Sequence, residues 1–524
     1  MKKKRQDKNK IYKIESYKRP KIDFSPKTPK IPDIEDKSKT DIRYCVISPY
    51  TYIHIYWHPE EYELIYEVEE PLLEEREKKV LEKITYAFRN IIDFDIVVEQ
   101  NQEKLLEYID RRFKFLAVQF GIDMPYESYK KIYYYLIRDF VGFNEIEPLL
   151  RDYFVEDIEC NGVGTPIYLV HRKFRNLKTN IVYESTDYLA DFVEKISQKS
   201  GRYISYADPI LDSSLPDGSR VNATYTKDIS SRGPTFTIRK FTEIPWTPTQ
   251  LVSFKTLSPE MLAYLWLLVQ YQMNVLLAGG TASGKTTLLN AIAFFISPEA
   301  RVVSIEDTRE LNLLRENWLP SVTRGALGTK KGGEIDLFTL LRASFRQNPD
   351  YVIVGEVRGK EAFVLFQGMA SGHSSISTIH ADSIDTVIKR LETPPIELSP
   401  TLLNVLDCVC IMTHALVKNE ETRKLRRITE VINVTEDGKA ETNDPFIWQP
   451  SNDTFYFKKN SHILKKISER HGMPLQEIQQ EHQRRVKLIH KLMQHEVFEF
   501  KQVQEVIHEY YKKPQEVLKK YGVQ

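Results

Sequence analysis

The sequence predicts an α/β fold built in more than one part, and three observations carry that prediction. An apolar strand pattern, Val275 to Ala278, runs into Gly279-Gly280-Thr281-Ala282-Ser283-Gly284-Lys285-Thr286-Thr287 and then into a helical stretch, Leu288 to Phe295. Two more apolar strands end in acids at helix-length intervals: Arg301 to Ile305 before Glu306-Asp307-Thr308-Arg309-Glu310, and Tyr351 to Val354 before Gly355-Glu356-Val357-Arg358-Gly359. A parallel sheet delivers its polar residues in this way, at one carboxyl edge. Upstream, Val80, Ile84, Phe88 and Ile91, and then Leu105, Ile109, Phe113, Leu116 and Phe120, recur at three- and four-residue spacing, the stripes of a packed helical bundle.

Length and composition set the outer limits. At 524 residues the chain suggests two to four domains. Hydrophobic residues at 41% and charged residues at 28% suit a folded protein and exclude collagen-like and long disordered classes. With 74 Lys+Arg against 73 Asp+Glu, no global basic field exists to draw in nucleic acid. Cys45, Cys160, Cys408 and Cys410 are too scattered for a disulfide framework; Cys408 and Cys410, one residue apart in an apolar run, read as core on one strand face. The most apolar stretch, Leu265 to Ala278, is interrupted by Gln270, Gln272 and Asn274, short of the roughly 18 apolar residues that span a membrane. The Lys-rich start has no apolar signal region, so a cytoplasmic protein is expected.

Along the chain, residues 1–40 hold fourteen Lys/Arg and six Asp/Glu with Pro20, Pro26, Pro29 and Pro32, a basic tail expected to be disordered. It reads either as a solvated arm or as a contact for anionic head groups or an acidic partner. Residues 41–145 form a strand-plus-helical region, opening with alternating apolar residues over 43–57. Residues 146–244 read as a separate α/β domain, with strands at Pro166 to Val170, Val221 to Tyr225 and Thr235 to Ile238, a helix through Phe192 and Ile196, and a turn at Leu215-Pro216-Asp217-Gly218. A Pro/Thr-rich hinge follows at 245–256. The core, 257–416, starts a helix at Ser258-Pro259-Glu260, where a capping hydroxyl precedes proline and an acid. Strands and helices are expected over 417–524, with apolar faces through Ile463, Ile467, Val486, Ile489 and Leu492, as an adapter surface or a closing bundle.

The motif G-x4-G-K-T between strand and helix has a physical reading. Its glycines let backbone N–H groups turn inward around phosphate oxygens, the helix start adds partial positive charge, Lys285 reaches the β/γ-phosphates and the Thr286 hydroxyl ligates Mg²⁺. Of the strand-end acids, one suits the magnesium shell and another suits orienting water in line with the γ-phosphate. The alternative is that Glu306 and Glu356 cap the helices that follow. His373 and His380 flank the strand Ser374 to Thr378 and are candidates for sensing the γ-phosphate, or for ordinary structural work.

These residues resemble the secretion-type ATPases that drive type II secretion, type IV pili and archaeal surface filaments. Four signatures occur in order: a Walker A loop (279–287), an aspartate box (Glu306 to Glu310), a Walker B strand whose acid is Glu (Val352 to Glu356) and a histidine box (His373 to His380). The wording LPDGSR, TFTIRKF, AGGTASGKTT, VVSIEDTREL, VGEVRG and STIHADS is closest to the archaeal branch, which includes the archaellum motor ATPase, and the paired-cysteine zinc insertion of many bacterial members is missing. The resemblance covers about residues 130–450. It implies a RecA-like P-loop motor domain preceded by a smaller α/β domain, a homohexameric ring, and ATP with Mg²⁺ as cofactors. It also implies Glu310 as catalytic glutamate, Glu356 as Walker B glutamate and metal partner beside Thr286, and Arg220, Arg232 and Arg239 as arginines completing the site, each with a plain surface or backbone contact as its alternative. The implied partners are a polytopic membrane platform protein and accessory filament-motor proteins, at the cytoplasmic face of the membrane. A DNA-handling, conjugation-type translocation ATPase is the alternative, although no basic groove or aromatic stacking run supports direct nucleic-acid binding.

Overall fold

The computed structural model describes residues 14–25, 29, 31–32, 36–89, 102–324, 333–417, 420–458 and 460–523. They divide into two compact units, Met1–Phe241 and Thr242–Gln524.

In the first unit, β1 (Asp41–Ile47), β2 (Thr51–His58), β3 (Glu63–Glu69), β4 (Val155–Cys160), β5 (Pro166–His171), β6 (Arg175–Val182), β7 (Ile210–Ser214), β8 (Arg220–Thr224) and β9 (Thr235–Arg239) make one sheet in the order β1-β2-β3-β6-β5-β4-β9-β8-β7. Every pair is antiparallel except β3 with β6, where Ile65 faces Lys178 and Tyr66 faces Thr179. Along β2, Thr51, Ile53 and Ile55 are buried and their neighbours half-exposed, the alternation of a sheet covered on one face. Leu189, Phe192, Val193 and Ile196 of the helix Thr186–Lys199 are part of that core. A second core joins the helices Glu75–Arg89, Gln102–Gln119 and Tyr126–Phe140, with Phe113 stacked on Tyr129 at 4.7 Å. Ile91, expected on the first of these stripes, lies outside the described residues.

Two expectations change here. The regions 41–145 and 146–244 are not separate, because the β3–β6 pairing makes their strands one sheet. The tail 1–40 is not disordered over residues 14–25. Ile14 is buried, Ile22 and Phe24 pack on the cores, the Tyr17 hydroxyl donates to the Met124 carbonyl at 2.9 Å, and Asp23 pairs with Ser48 through backbone bonds of 3.0 and 3.3 Å. Apolar residues spaced among the charges anchor it. Residues 1–13 lie outside the described ones.

The second unit holds β10 (Val275–Gly279), β11 (Val302–Glu306), β12 (Trp318–Val322), β13 (Tyr351–Val354), β14 (Ser374–Ile379), β15 (Cys408–Val417), β16 (Glu420–Val434), β17 (Ala440–Gln449) and β18 (Thr454–Phe457), in the order β12-β11-β13-β14-β10-β15-β16-β17-β18. From β12 to β15 the pairing is parallel, and β15 to β18 is antiparallel. Helices cover both faces. Val275, Leu277, Cys408 and Cys410 enter one core with the helices Pro259–Gln270 and Lys285–Ala293, while Leu276, Ala278 and Val409 enter another with Leu337–Ser344, Glu361–Ala370 and Ile384–Glu392. Burial on both sides is why these strands read as continuous apolar runs. This is the α/β core that the sequence predicts, with the glycine-rich motif following a central parallel strand, and the two cysteines share a face as expected.

The boundary between units falls at Phe241/Thr242, so the expected hinge segment 245–256 belongs to the second unit. Thr247 caps the helix Pro248–Ser253 in a capping box with Gln250. The hydroxyls of Thr247 and Thr249 donate to the carbonyls of Phe498 and Val497 at 3.2 and 2.8 Å, which fixes the segment. The region 417–524 likewise continues the core. Its strands extend the sheet, and the helices His462–His471, Leu475–Gln494, Phe500–Lys512 and Pro514–Lys520 close the face that carries Trp266, whose ring stacks on Phe295 at 5.0 Å and lies under Arg485 at 4.7 Å. No described helix is long and apolar enough to cross a membrane.

Candidate active site

Parallel β10, β11, β13 and β14 end at one edge of the sheet. At the end of β10 the chain makes the phosphate loop. A Cβ on Gly279 would lie 2.4 Å from Ser283 Oγ and 2.7 Å from the Met412 carbonyl, so only glycine fits there; Gly284, at φ +93°, opens the helix Lys285–Ala293. Gly280, Thr281 and Ala282 are exposed at the tip, Ser283 is buried, and Thr286 and Thr287 are half-buried. Lys285 Nζ donates to the carbonyls of Gly279 at 3.0 Å and Gly280 at 2.9 Å. Burial holds this ammonium below its usual range, against the opposing charges of Glu356 and Glu310.

Beyond β11, Glu306 is buried and its Oε1 accepts from the backbone N–H of Glu310 at 2.9 Å and Leu311 at 3.0 Å. Its other oxygen, Oε2, is buried without a hydrogen-bond partner. Burial pushes the carboxyl up to about 7, opposed by those two backbone bonds. Glu306 therefore braces the loop that carries Glu310, and Gly355 leaves it room, since a Cβ there would sit 3.2 Å from Glu306 Cγ. The Glu310 side chain is exposed.

Beyond β13, Glu356 Oε2 accepts from Arg358, while its Oε1 lies 3.4 Å from His380 Nε2 at the end of β14 and is buried without a hydrogen bond. The helix Glu361–Ala370 that follows has no side-chain cap, so Glu356 does not cap it; Glu361 holds the turn before it, accepting from the N–H of Arg358 at 2.6 Å and of Gly359 at 2.7 Å. Partial burial and Lys285 hold His380 below the usual histidine range, against the pull of Glu356. His373 is not part of this site. It precedes the six-residue β14, so roughly 20 Å of strand separates the two histidines. At that opposite edge its ring packs against Phe345 at 5.0 Å.

Asn290, Asn312 and Arg358 join the site without a motif role of their own. Asn290 is the polar position on an otherwise apolar stretch, Leu288 to Ile292, one turn past Thr286. Its side chain donates to the carbonyls of Thr286 (3.3 Å) and Glu310 (3.1 Å) and accepts from the Asn312 N–H (3.1 Å). Among the described residues no three His, Cys, Asp or Glu side chains are grouped to hold a metal ion. One hydroxyl, Thr286, and one carboxylate oxygen without a bond, on Glu356, fit Mg²⁺, which takes few protein ligands beside substrate phosphates.

In the first unit, Arg220 and Arg239 face each other across β8 and β9. Arg220 pairs with Asp212 at 3.0 Å and Arg239 with Asp157 at 3.3 Å, both largely exposed. Arg232 is exposed, and its carbonyl accepts from the Val163 N–H at 3.0 Å.

The family model described as type II/IV secretion system protein matches residues 143–507. MJ0900 of Methanocaldococcus jannaschii is 36% identical over 92% of this chain and 91% of its own length. The conjugal transfer protein TrbB of Rhizobium radiobacter is 32% identical over 43% of this chain and 68% of its own. The crystal structure of the VirB11 ATPase of the Brucella suis type IV secretion system, at 23% identity, aligns with 54% of this chain and 95% of that one with a TM-score of 0.28. The chain belongs to the type II/IV secretion system protein family, in its archaeal branch.

Proposed function

We propose that the protein is an ATP-hydrolysing motor that powers assembly, secretion or rotation of a type IV pilus-like, archaellum-type filament. One observation carries this reading: Lys285 of the phosphate loop, Glu310 and Glu356 converge at one sheet edge, close enough that both acids act on the lysine's charge. In this reading the loop N–H groups and Lys285 bind the β/γ-phosphates, releasing the ammonium from the loop carbonyls it now holds. Thr286 and Glu356 would hold Mg²⁺, which supplies charge neutralisation on the phosphates. Glu310 orients the attacking water and takes its proton as the bond from the γ-phosphorus to the bridging oxygen breaks, giving ADP and phosphate. The arginines of the first unit, Arg220 and Arg239 with Arg232, would spread positive charge over the transferring group in a homohexameric ring docked on a polytopic membrane platform at the cytoplasmic face, with accessory filament-motor proteins as further partners.

Phosphate-release kinetics test it. Lys285→Ala is expected to abolish turnover and weaken ATP binding, whereas Glu310→Gln is expected to bind ATP near-normally and lose roughly 10² or more of turnover. Unchanged turnover in Glu310→Gln would move the base to Glu306 or Glu356. Light scattering with ATP analogues is expected to show a six-subunit species. The likeness to a conjugal transfer protein supports a second reading, DNA translocation. Filter binding to single-stranded DNA separates the two, and retention with DNA-stimulated turnover would favour it.

A further inference from the structure

Glu310 sits in a stretch without regular structure, between β11 and β12, where no strand ladder or helix fixes its backbone. Its two flanking peptide groups are nevertheless both held. The N–H of Glu310 goes to the Glu306 carboxyl, and its C=O accepts from Asn290 Nδ2. Asn290 Oδ1 accepts in turn from the N–H of Asn312, two residues on. A side-chain amide that donates to the carbonyl of one residue and accepts from the N–H two residues later reproduces the pairing of a neighbouring β-strand. Asn290 is itself 5% exposed and rooted on the helix that begins with Lys285, and its second amide hydrogen returns to the Thr286 carbonyl. One buried side chain thus ties the backbone at Glu310 to the helix that presents Lys285 and Thr286.

We propose that Asn290 is a positioning residue for hydrolysis: it sets the distance between Glu310 and the phosphate loop while touching no nucleotide itself. The inference rests on Glu310 as the water-orienting base proposed above. Aspartate at this position keeps the shape but replaces the donating NH₂ with an oxygen, which then faces two carbonyls and can satisfy neither. Released from one side, the Glu310 backbone shifts, and a displacement of about 1 Å in a positioning element costs up to roughly 10² in rate. Nucleotide affinity is set by the loop and Lys285, so it is expected to stay.

The test uses the full-length protein with Mg²⁺, measuring kcat by phosphate release and ADP affinity by titration, in Asn290→Asp, Asn290→Ser, Glu310→Gln and the double variant Asn290→Asp/Glu310→Gln. The expected result is a kcat loss of about 10- to 100-fold in both Asn290 variants with ADP affinity within about threefold of wild type, and no further loss when Asn290→Asp is added to Glu310→Gln. Wild-type kcat in both Asn290 variants, beside a slow Glu310→Gln, overturns the proposal and leaves the base assignment standing. Multiplicative losses in the double variant overturn it too, since Asn290 would then act on something other than Glu310. Lost ADP binding in both Asn290 variants, from misfolding or a distorted loop, also overturns it. Wild-type kcat in Glu310→Gln removes the base assignment and the proposal with it.

Discussion

Both units are built on nine-stranded sheets, yet they place their polar residues in opposite ways. In the second unit the parallel strands all end on the same side, so Lys285, Glu306, Glu356 and His380 gather at one edge although about a hundred residues separate the first from the last. In the first unit every pair but β3–β6 is antiparallel, so successive strands end on opposite sides, and the notable charges lie on a face, with Arg220 and Arg239 side by side. Strand direction decides whether a sheet concentrates chemistry or displays it.

The largest test of that contrast asks whether the displayed arginines share in the chemistry of the concentrated acids. Arg220→Ala and Arg239→Ala are each expected to lower turnover by about 10³, the lower end of the range for arginines acting on a transferring phosphoryl group, with ADP affinity nearly intact. Phosphate release beside ADP titration measures it. Wild-type turnover in both would reduce the pair to partners of Asp212 and Asp157.

A smaller effect sharpens the picture within the second unit. His380→Ala, next to Glu356, is expected to slow turnover roughly tenfold or more. His373→Ala, at the far edge, is expected to leave turnover alone and lower the thermal midpoint by about 2–4 °C through lost packing on Phe345. Equal kinetic losses in the two variants would mean that β14 transmits strain along its length.

The smallest effect is one of pH. Glu306 titrates at about 7 in the fold, above its ordinary 4.5, so the folded state favours its protonated form. Its contribution to stability is full below the unfolded value and is lost as pH rises through about 7. Thermal midpoints of wild type should therefore fall between pH 5 and 7.5 more than those of Glu306→Gln, which cannot ionise. Identical slopes would assign the titration to another group.

Much of the second unit was legible because burial on both faces writes strands as unbroken apolar runs, and β10, β11, β13 and β14 lie within a residue or two of where the sequence puts them. β12 escapes that signal: it is an edge strand with Pro320 in its middle and most of its residues half-exposed. β3 escapes it through Glu63, Glu67 and Glu69. The motif acids were legible, but the division of labour between Glu306 and Glu310 was not, because it depends on which carboxyl points back at its own loop. Asn290 and Asn312 were invisible for a related reason: their role lies in bonds between segments some twenty residues apart. The strand between His373 and His380 was legible, but both were given the same candidate role, whereas the two ends of β14 lie at opposite edges of the sheet and only His380 follows its carboxyl end, beside Glu356.

The parallel contact between β3 and β6 also sets an order of events during synthesis. β1, β2 and β3 can pair as soon as they leave the ribosome, but the neighbour of β3 is encoded more than a hundred residues later. At about 5–20 residues per second the nascent meander waits for roughly 6 to 20 s with one edge open, a state that invites pairing with another chain. That edge carries Glu63, Glu67 and Glu69, of which Glu69 already pairs with Arg43 of β1 at 2.6 Å, and the strand that finally arrives brings Lys178, which pairs with Glu61 and with Glu63 at 3.6 Å. Glu63, one of the acids that hid β3 from hydrophobic patterning, thus meets its lysine only once the partner strand is made.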